Sequence, residues 1–190
     1  MLSTMQIEVA RRLFTVDEYD QMVEAGILTK ADRVELIEGE ILEMSPIGPR
    51  HAACVDRATD QFAPPLHGRA IVRIQGPIRL GDFSKPQPDL ILLKYQKDFY
   101  APKGAVTKDA LLVIEVSETS FRYDRGPKLA LYAKHGVVEV WIEDLNTDTL
   151  LVFRDRQPHG YATTLELKRG DSVSPLAFPD LSVKVDDLLG

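Results

Sequence analysis

Ala110-Leu111-Leu112-Val113-Ile114-Glu115-Val116-Ser117 is apolar almost throughout, as a strand covered on both faces must be. Side chains alternate along a strand, so Glu115 and Ser117 lie on one face. A carboxylate inside such a run needs a partner, because an uncompensated charge is costly to bury. The rest of the chain is therefore read for what could meet Glu115.

Downstream, the polar stretch Glu118 to Tyr123 leads to Asp124, which can cap a helix from about Arg125 to His135. Pro127 is tolerated in its first turn and Gly136 marks its stop. Val137 to Glu143 reads as another buried strand, holding the single tryptophan, Trp141. From Thr149 onward the pattern is short strands between turns: Leu150 to Phe153, Tyr161 to Leu167 and Leu181 to Val185. These carry no identifiable chemistry and suit sheet extension or subunit contact.

Upstream, Asp89 stands at the mouth of Leu90-Ile91-Leu92-Leu93, delivered there by the Pro-rich loop Gly81 to Pro88. Lys94 to Lys108 mixes charge, Gly and Pro, as a long and mobile surface loop would. Ala70 to Gln75 and Ile78 to Leu80 read as strands. His51 to Phe62 carries apolar residues at helical spacing until Pro64-Pro65 ends the pattern. Arg33 to Ile37 and Glu40 to Met44 alternate around Glu38-Gly39, a hairpin with a tight turn in which Glu35 shares a face with Ile37. A first helix runs from about Val16 to Ala25, with Thr15 and Glu18 as a capping box, Phe14 and Tyr19 placed as a staple, and Gly26 as the stop. This order of elements predicts an α+β fold: a central mixed sheet flanked by helices, with additional antiparallel strands.

At 190 residues and 44% hydrophobic content, one compact domain over residues 1–190 is expected, with 1–11 as a flexible N-terminus. No apolar run approaches the roughly 18 residues of a membrane span, and residues 1–14 lack the pattern of a secretory signal. Cys54 is the only cysteine, which excludes an internal disulfide and a thiolate-rich metal cluster and points to a reducing, cytoplasmic setting. The formal charge of −6 weighs against a nucleic-acid partner on average, since neutralising phosphates supplies much of DNA affinity, yet it leaves room for a local basic face.

The residues best placed for chemistry are Asp89, Glu115 on its strand and Lys128 on the helix that follows. Two carboxylates on neighbouring strands can share Mg²⁺, which takes one or two carboxylate oxygens and keeps several waters. A lysine beside them can orient the attacking water and offset phosphate charge. Each residue also has a plainer reading. Glu115 could be a buried carboxylate paired to an arginine or to Lys128 alone. Asp89 could cap a turn, and Glu35 could be a solvated strand residue. Lys128 could be a helix-surface lysine, Asp124 an N-cap, and Tyr132 a packing residue or a hydrogen-bonding support.

In their order along the chain, Glu35-Leu36-Ile37-Glu38-Gly39-Glu40, Met44-Ser45-Pro46 with His51, Pro88-Asp89, Glu115-Val116-Ser117, Asp124 with Lys128 and Tyr132, and Gly136 to Ile142 resemble the successive signatures of the Uma-two family of restriction endonucleases, within the PD-(D/E)XK nuclease superfamily. The resemblance covers roughly residues 12 to 188. It implies a restriction-endonuclease-like core with Glu35, Asp89 and Glu115 as its acidic, metal-binding site. The superfamily's lysine two residues after the second carboxylate is here Ser117; the resemblance implies that Lys128 replaces it from the next helix. His51 matches the family histidine and could contact a phosphate or a water at the metal, or could be a cap or surface residue. His67, His135 and His159 sit near turns or helix ends and read as surface residues. Ser117 has no histidine at a recognisable spacing, so a serine-hydrolase triad is a poor reading.

The expectation is thus a Mg²⁺-dependent endonuclease, with Mn²⁺ as a possible substitute, acting on DNA and working as a homodimer. The competing expectation is a nuclease-fold binding or assembly protein without efficient catalysis. A hydrolase of smaller phosphate esters fits the same residues.

Overall fold

The computed structural model describes residues 11–190. The expectation of a flexible segment over 1–11 falls, for residues 1–10, outside the described residues; Arg11 itself pairs with Glu40 at 2.6 Å.

Helix α1 (Val16–Glu24) begins as its capping box requires: Thr15 Oγ1 accepts from the Glu18 amide at 3.2 Å, and the Thr15 amide donates to Glu18 Oε2 at 2.9 Å. Strands β1 (Val34–Ile37) and β2 (Glu40–Glu43) pair antiparallel with Ile37 opposite Glu40. Their two-residue turn needs positive φ at both positions, met by Glu38 at 48° and Gly39 at 84°. Helix α2 (Pro49–Phe62) starts two residues before His51, with Pro49 in its first turn, where a missing N–H costs nothing.

The main sheet runs in the order β3 (Ala70–Ile74), β4 (Leu90–Lys94), β5 (Ala110–Ser117), β6 (Val140–Asp144), β7 (Thr149–Gln157), β8 (Gly160–Leu167). Only β5 and β6 are parallel, so the sheet is mixed as expected. The parallel pair requires a crossover, supplied by the helical stretch between them. That stretch comprises α3 (Phe121–Tyr123), a wide π-type turn (Asp124–Lys128) and α4 (Leu129–His135).

Both faces of β5 are covered, which explains its unbroken apolar sequence. Leu112, Ile114 and Val116 face α2 and the C-terminal helix α5 (Val185–Leu189), in a core that includes Phe62 and Trp141. Ala110 and Val113 face the other way, against Leu129, Leu131 and Tyr132 of α4. Leu112, Val113 and Ile114 are fully buried, each contributing roughly 1.5–3 kcal/mol of hydrophobic stabilisation. Two-residue strands β9 (Ser172–Val173) and β10 (Val183–Lys184) form a separate antiparallel pair leading into α5.

Four local expectations are corrected. Ile78 to Leu80 is fully buried at both ends but is no strand: its amides go to Pro86 and Ser84 carbonyls in a folded loop. Asp124 does not cap a helix, because helical structure already begins at Phe121. Val137 precedes β6 and closes α4 instead, its amide donating to the Tyr132 carbonyl beside Gly136 at φ 98°. Leu181 to Val185 contributes only β10 before turning into α5. The Lys94–Lys108 excursion is anchored through Tyr100, which is buried and donates its hydroxyl to the Lys94 carbonyl at 2.7 Å. Among the described residues, no helix is long and apolar enough to cross a membrane.

Candidate active site

The β4–β5 register pairs Leu90 with Ile114, so continuing it by one residue sets Asp89 opposite Glu115. Asp89 Oδ2 accepts from the Val116 amide at 2.9 Å and meets His51 Nε2 at 3.2 Å. Its other oxygen has a long contact, 3.5 Å, with Gln75 Nε2. His51 lies in the first turns of α2, and its bond to Asp89 raises its proton affinity against the opposing effects of burial and of Arg33. His51 Nδ1 is buried and has no hydrogen-bond partner.

Glu35 arrives from the hairpin. The loop before Asp89 holds that hairpin in place: the Lys85 amide donates to the Leu36 carbonyl at 2.7 Å, and the Gly39 amide to the Phe83 carbonyl at 2.7 Å. The Gln87 amide then donates directly to Glu35 Oε2 at 3.0 Å. Lys128 reaches in from the end of the wide turn, its Nζ 3.0 Å from Glu115 Oε1, 3.3 Å from Glu35 Oε2 and 4.0 Å from Asp124 Oδ1. All four side chains are buried. The Tyr132 hydroxyl, one turn beyond Lys128, donates to Glu115 Oε1 at 2.5 Å. Ser117, where the superfamily motif has its lysine, donates to Asp124 Oδ2 at 2.7 Å, and Ser120 donates to the same oxygen at 2.5 Å.

Three carboxylates around one ammonium cannot all ionise cheaply in a dry site. Burial is the largest influence on Glu115 and pushes its pKa up to about 8, with Lys128 and Tyr132 pulling against it. Burial alone would lower Lys128; Glu115, Glu35 and Asp124 together reverse this and hold the ammonium charged.

Glu35, Asp89, Glu115, Lys128 and His51 all line one cavity of about 460 Å³. The sequence-derived set is therefore brought together, and His67, His135 and His159 stand apart from it. The set is divided into two groups, however: Asp89 with His51, and Glu35 with Glu115 around Lys128. Among the described residues, no three His, Cys, Asp or Glu side chains already surround one point as metal ligands. The donor chemistry still fits a hard cation that needs only one or two carboxylates: Asp89 and Glu115 line the same cavity, and Glu35 lines it with them.

Several participants escaped the sequence reading. Asp124 was read as a helix cap, yet it stands within the Lys128 cluster. Glu143 does not line the cavity, yet it is fully buried on β6, neither oxygen has a hydrogen-bond partner, and burial raises its pKa to about 8. It lay within an apolar stretch like that of Glu115, a signal that could have singled it out. Arg33 and Gln87 line the cavity and Gln75 touches Asp89; Arg33 and Gln75 stand at the ends of expected strands and Gln87 in the Pro-rich loop, where spacing gives no cue to a partner.

No protein with a curated description matches the chain significantly. Among solved structures, it is similar to a protein from Anabaena variabilis described as a putative nuclease belonging to DUF820, with a TM-score of 0.71 and 18% identity. That likeness covers 93% of this chain and 97% of the other, and it establishes the α+β nuclease-type fold. The model of the Uma2 family, described as "Putative restriction endonuclease", matches residues 16–186, a span that runs from α1 to the start of α5 and takes in every residue of the acidic cavity. The sheet, the buried carboxylates and the lysine supplied by the helix thus sit within the matched region, and the chain belongs to the Uma2 family.

Proposed function

We propose that this protein is a metal-dependent endonuclease that hydrolyses phosphodiester bonds in DNA, with Mg²⁺, or Mn²⁺ in its place, held by Asp89 and Glu115 and supported by Glu35. The observation that carries this reading is the convergence of Asp89, Glu115 and Lys128, from three separate elements, on one cavity. Family membership supports the nuclease class. A divalent cation there would supply Lewis-acid stabilisation of charge on the phosphate oxygens. Lys128 presents a permanent positive charge to the same space, where it orients water and offsets developing negative charge. Tyr132 fixes the Glu115 carboxyl, and Asp89 orients His51 so that its unpartnered Nδ1 is left for a phosphate oxygen or a water.

The test is cleavage of supercoiled plasmid with Mg²⁺ or Mn²⁺, comparing wild type with Asp89→Ala and Lys128→Ala. Cleavage by wild type alone is expected. Equal cleavage by all three proteins would remove the assignment.

A second reading, a nuclease-fold binding or assembly protein with weak or no catalysis, is favoured by one observation: Lys128 already satisfies Glu35 and Glu115, and no preformed three-ligand group exists among the described residues. Calorimetric titration with Mn²⁺ separates the two. Binding lost in Asp89→Ala speaks for the nuclease, and no carboxylate-dependent binding speaks for the assembly protein.

A further inference from the structure

A second cavity, of about 600 Å³, adjoins the acidic one. Arg33, Met44, Ile47, Gln87 and Asp89 line both, so the two are compartments of one groove that passes Asp89. The second compartment has cations on its walls, Lys30, Lys85 and Arg33, together with Asp20 and Tyr19. Lys85 is committed to Asp20 at 2.5 Å, and the Tyr19 hydroxyl to the Val34 carbonyl at 3.0 Å.

Arg33 is different. It makes no ion pair with any carboxylate among the described residues, although acidic groups surround the groove. One terminal nitrogen donates to the Ser45 carbonyl at 3.1 Å, while Nε is buried with no acceptor. A guanidinium has five donors, and a planar fork of this kind matches phosphate oxygens in pairs. The residue sits at φ 46°, in the turn two residues before Glu35, so its backbone is tied to the strand that carries the acidic site. In a chain of charge −6, a cation left uncommitted between two polar compartments is a local exception to the acidic mean.

We propose that the second compartment holds the nucleotide adjoining the scissile bond and that Arg33 grips the phosphate of that nucleotide. The inference rests on the nuclease reading and gives the groove a direction: chemistry at Glu115 and Lys128, strand capture past Arg33.

The test is anisotropy of a short fluorescein-labelled DNA duplex in Ca²⁺, titrated over a range of salt, with wild type and Arg33→Gln. Arg33→Gln keeps the Cβ, so the backbone cost at positive φ is unchanged. A loss of affinity of about tenfold and a salt dependence shallower by about 0.9 in log–log slope are expected, as for one lost phosphate contact. Arg33→Lys should restore part of the affinity, since it keeps charge and loses the fork. Equal affinity and slope in Arg33→Gln would overturn the inference, and unchanged Mn²⁺ titration in the same variant would show the acidic site intact and the nuclease reading standing. Absence of duplex binding by wild type overturns the inference as well, while plasmid cleavage still judges the nuclease reading separately. Should Arg33→Gln fail to fold, Lys30→Gln on the exposed wall of the same compartment takes its place: a shallower salt slope supports capture there, and an unchanged slope overturns it.

Discussion

The ammonium of Lys128 lies 3.0 Å from Oε1 of Glu115, and the Tyr132 hydroxyl reaches the same oxygen at 2.5 Å. One carboxylate oxygen on β5 thus takes two contacts from two consecutive turns of the following helical segment. Removing either contact tests a different property of the site.

Lys128→Met leaves Glu35, Glu115 and Asp124 buried without their cation. Removing one partner of a buried ion pair costs about 3–5 kcal/mol. Glu115 can absorb part of this by keeping its proton, so the loss is expected to be larger at pH 9 than at pH 6. Urea denaturation at the two values checks it, and a loss independent of pH would contradict the shared-charge picture.

Tyr132→Phe keeps the ring in its core and removes only the hydroxyl. Partners that orient a ligating group typically change affinity or activity by about 10- to 100-fold when lost. Plasmid cleavage is expected to fall within that range, with a much smaller change in melting temperature. A fully active variant would mean that Glu115 needs no second anchor.

Glu143 gives the pH dependence of folding. In the folded protein it keeps its proton up to about 8, with burial the main cause and Asp89, Arg57 and the Cys54 thiol nearby; its ordinary value is 4.5. Between those values the native state binds more protons than the unfolded one, so stability falls as pH rises, by up to about 1.4 kcal/mol per pH unit for each such group. Glu115 adds a second contribution of the same sign, and His51, whose proton affinity is raised, a third. Glu143→Gln mimics the protonated acid and is expected to flatten the dependence between pH 5 and 8. An unchanged slope would show the native carboxyl to be ionised.

Glu139 is the contrasting case, a buried carboxylate whose partners are all structural. It is fully buried and accepts from Trp141 Nε1 at 2.9 Å, from Arg154 Nε at 2.8 Å and from the Leu176 amide at 2.7 Å. Arg154→Ala is expected to cost about 3–5 kcal/mol in thermal or urea unfolding while sparing any metal binding. A loss of Mn²⁺ binding in a folded Arg154→Ala protein would refute this division of roles.

The sheet was legible because β5 and β4 are too apolar to face water and because Glu38-Gly39 and the Thr15–Glu18 box are local signals of turn and helix start. The carboxylates were legible for the related reason that Glu115 stands in a run where a charge has no business without a partner. Ile78 and Leu80 were misread because burial, not pairing, selects apolar residues in that loop. The short helix α5 was hidden because five residues carry too little periodicity to register, and its place is set by packing on α2 rather than by its own propensity. Arg33, expected as the first residue of a strand, lies in the turn before it at φ 46°, and Gln87 lies in a loop without period; only the folded chain brings both to the cavity that Asp89 lines.

The wide turn over Asp124–Lys128 surrounds Pro127, which cannot donate to the carbonyl four residues back and crowds it with its ring. The extra backbone length accommodated there sets the phase of everything that follows in the helix. Rewinding that segment as regular α-helix with all its residues kept would turn the downstream residues by up to about 100° around the axis, carrying the phenol of Tyr132 away from β5. The local winding at a single proline therefore acts as an angular setting for the whole charged cluster, and regular winding there would disable the pocket with the residues of its lining unchanged.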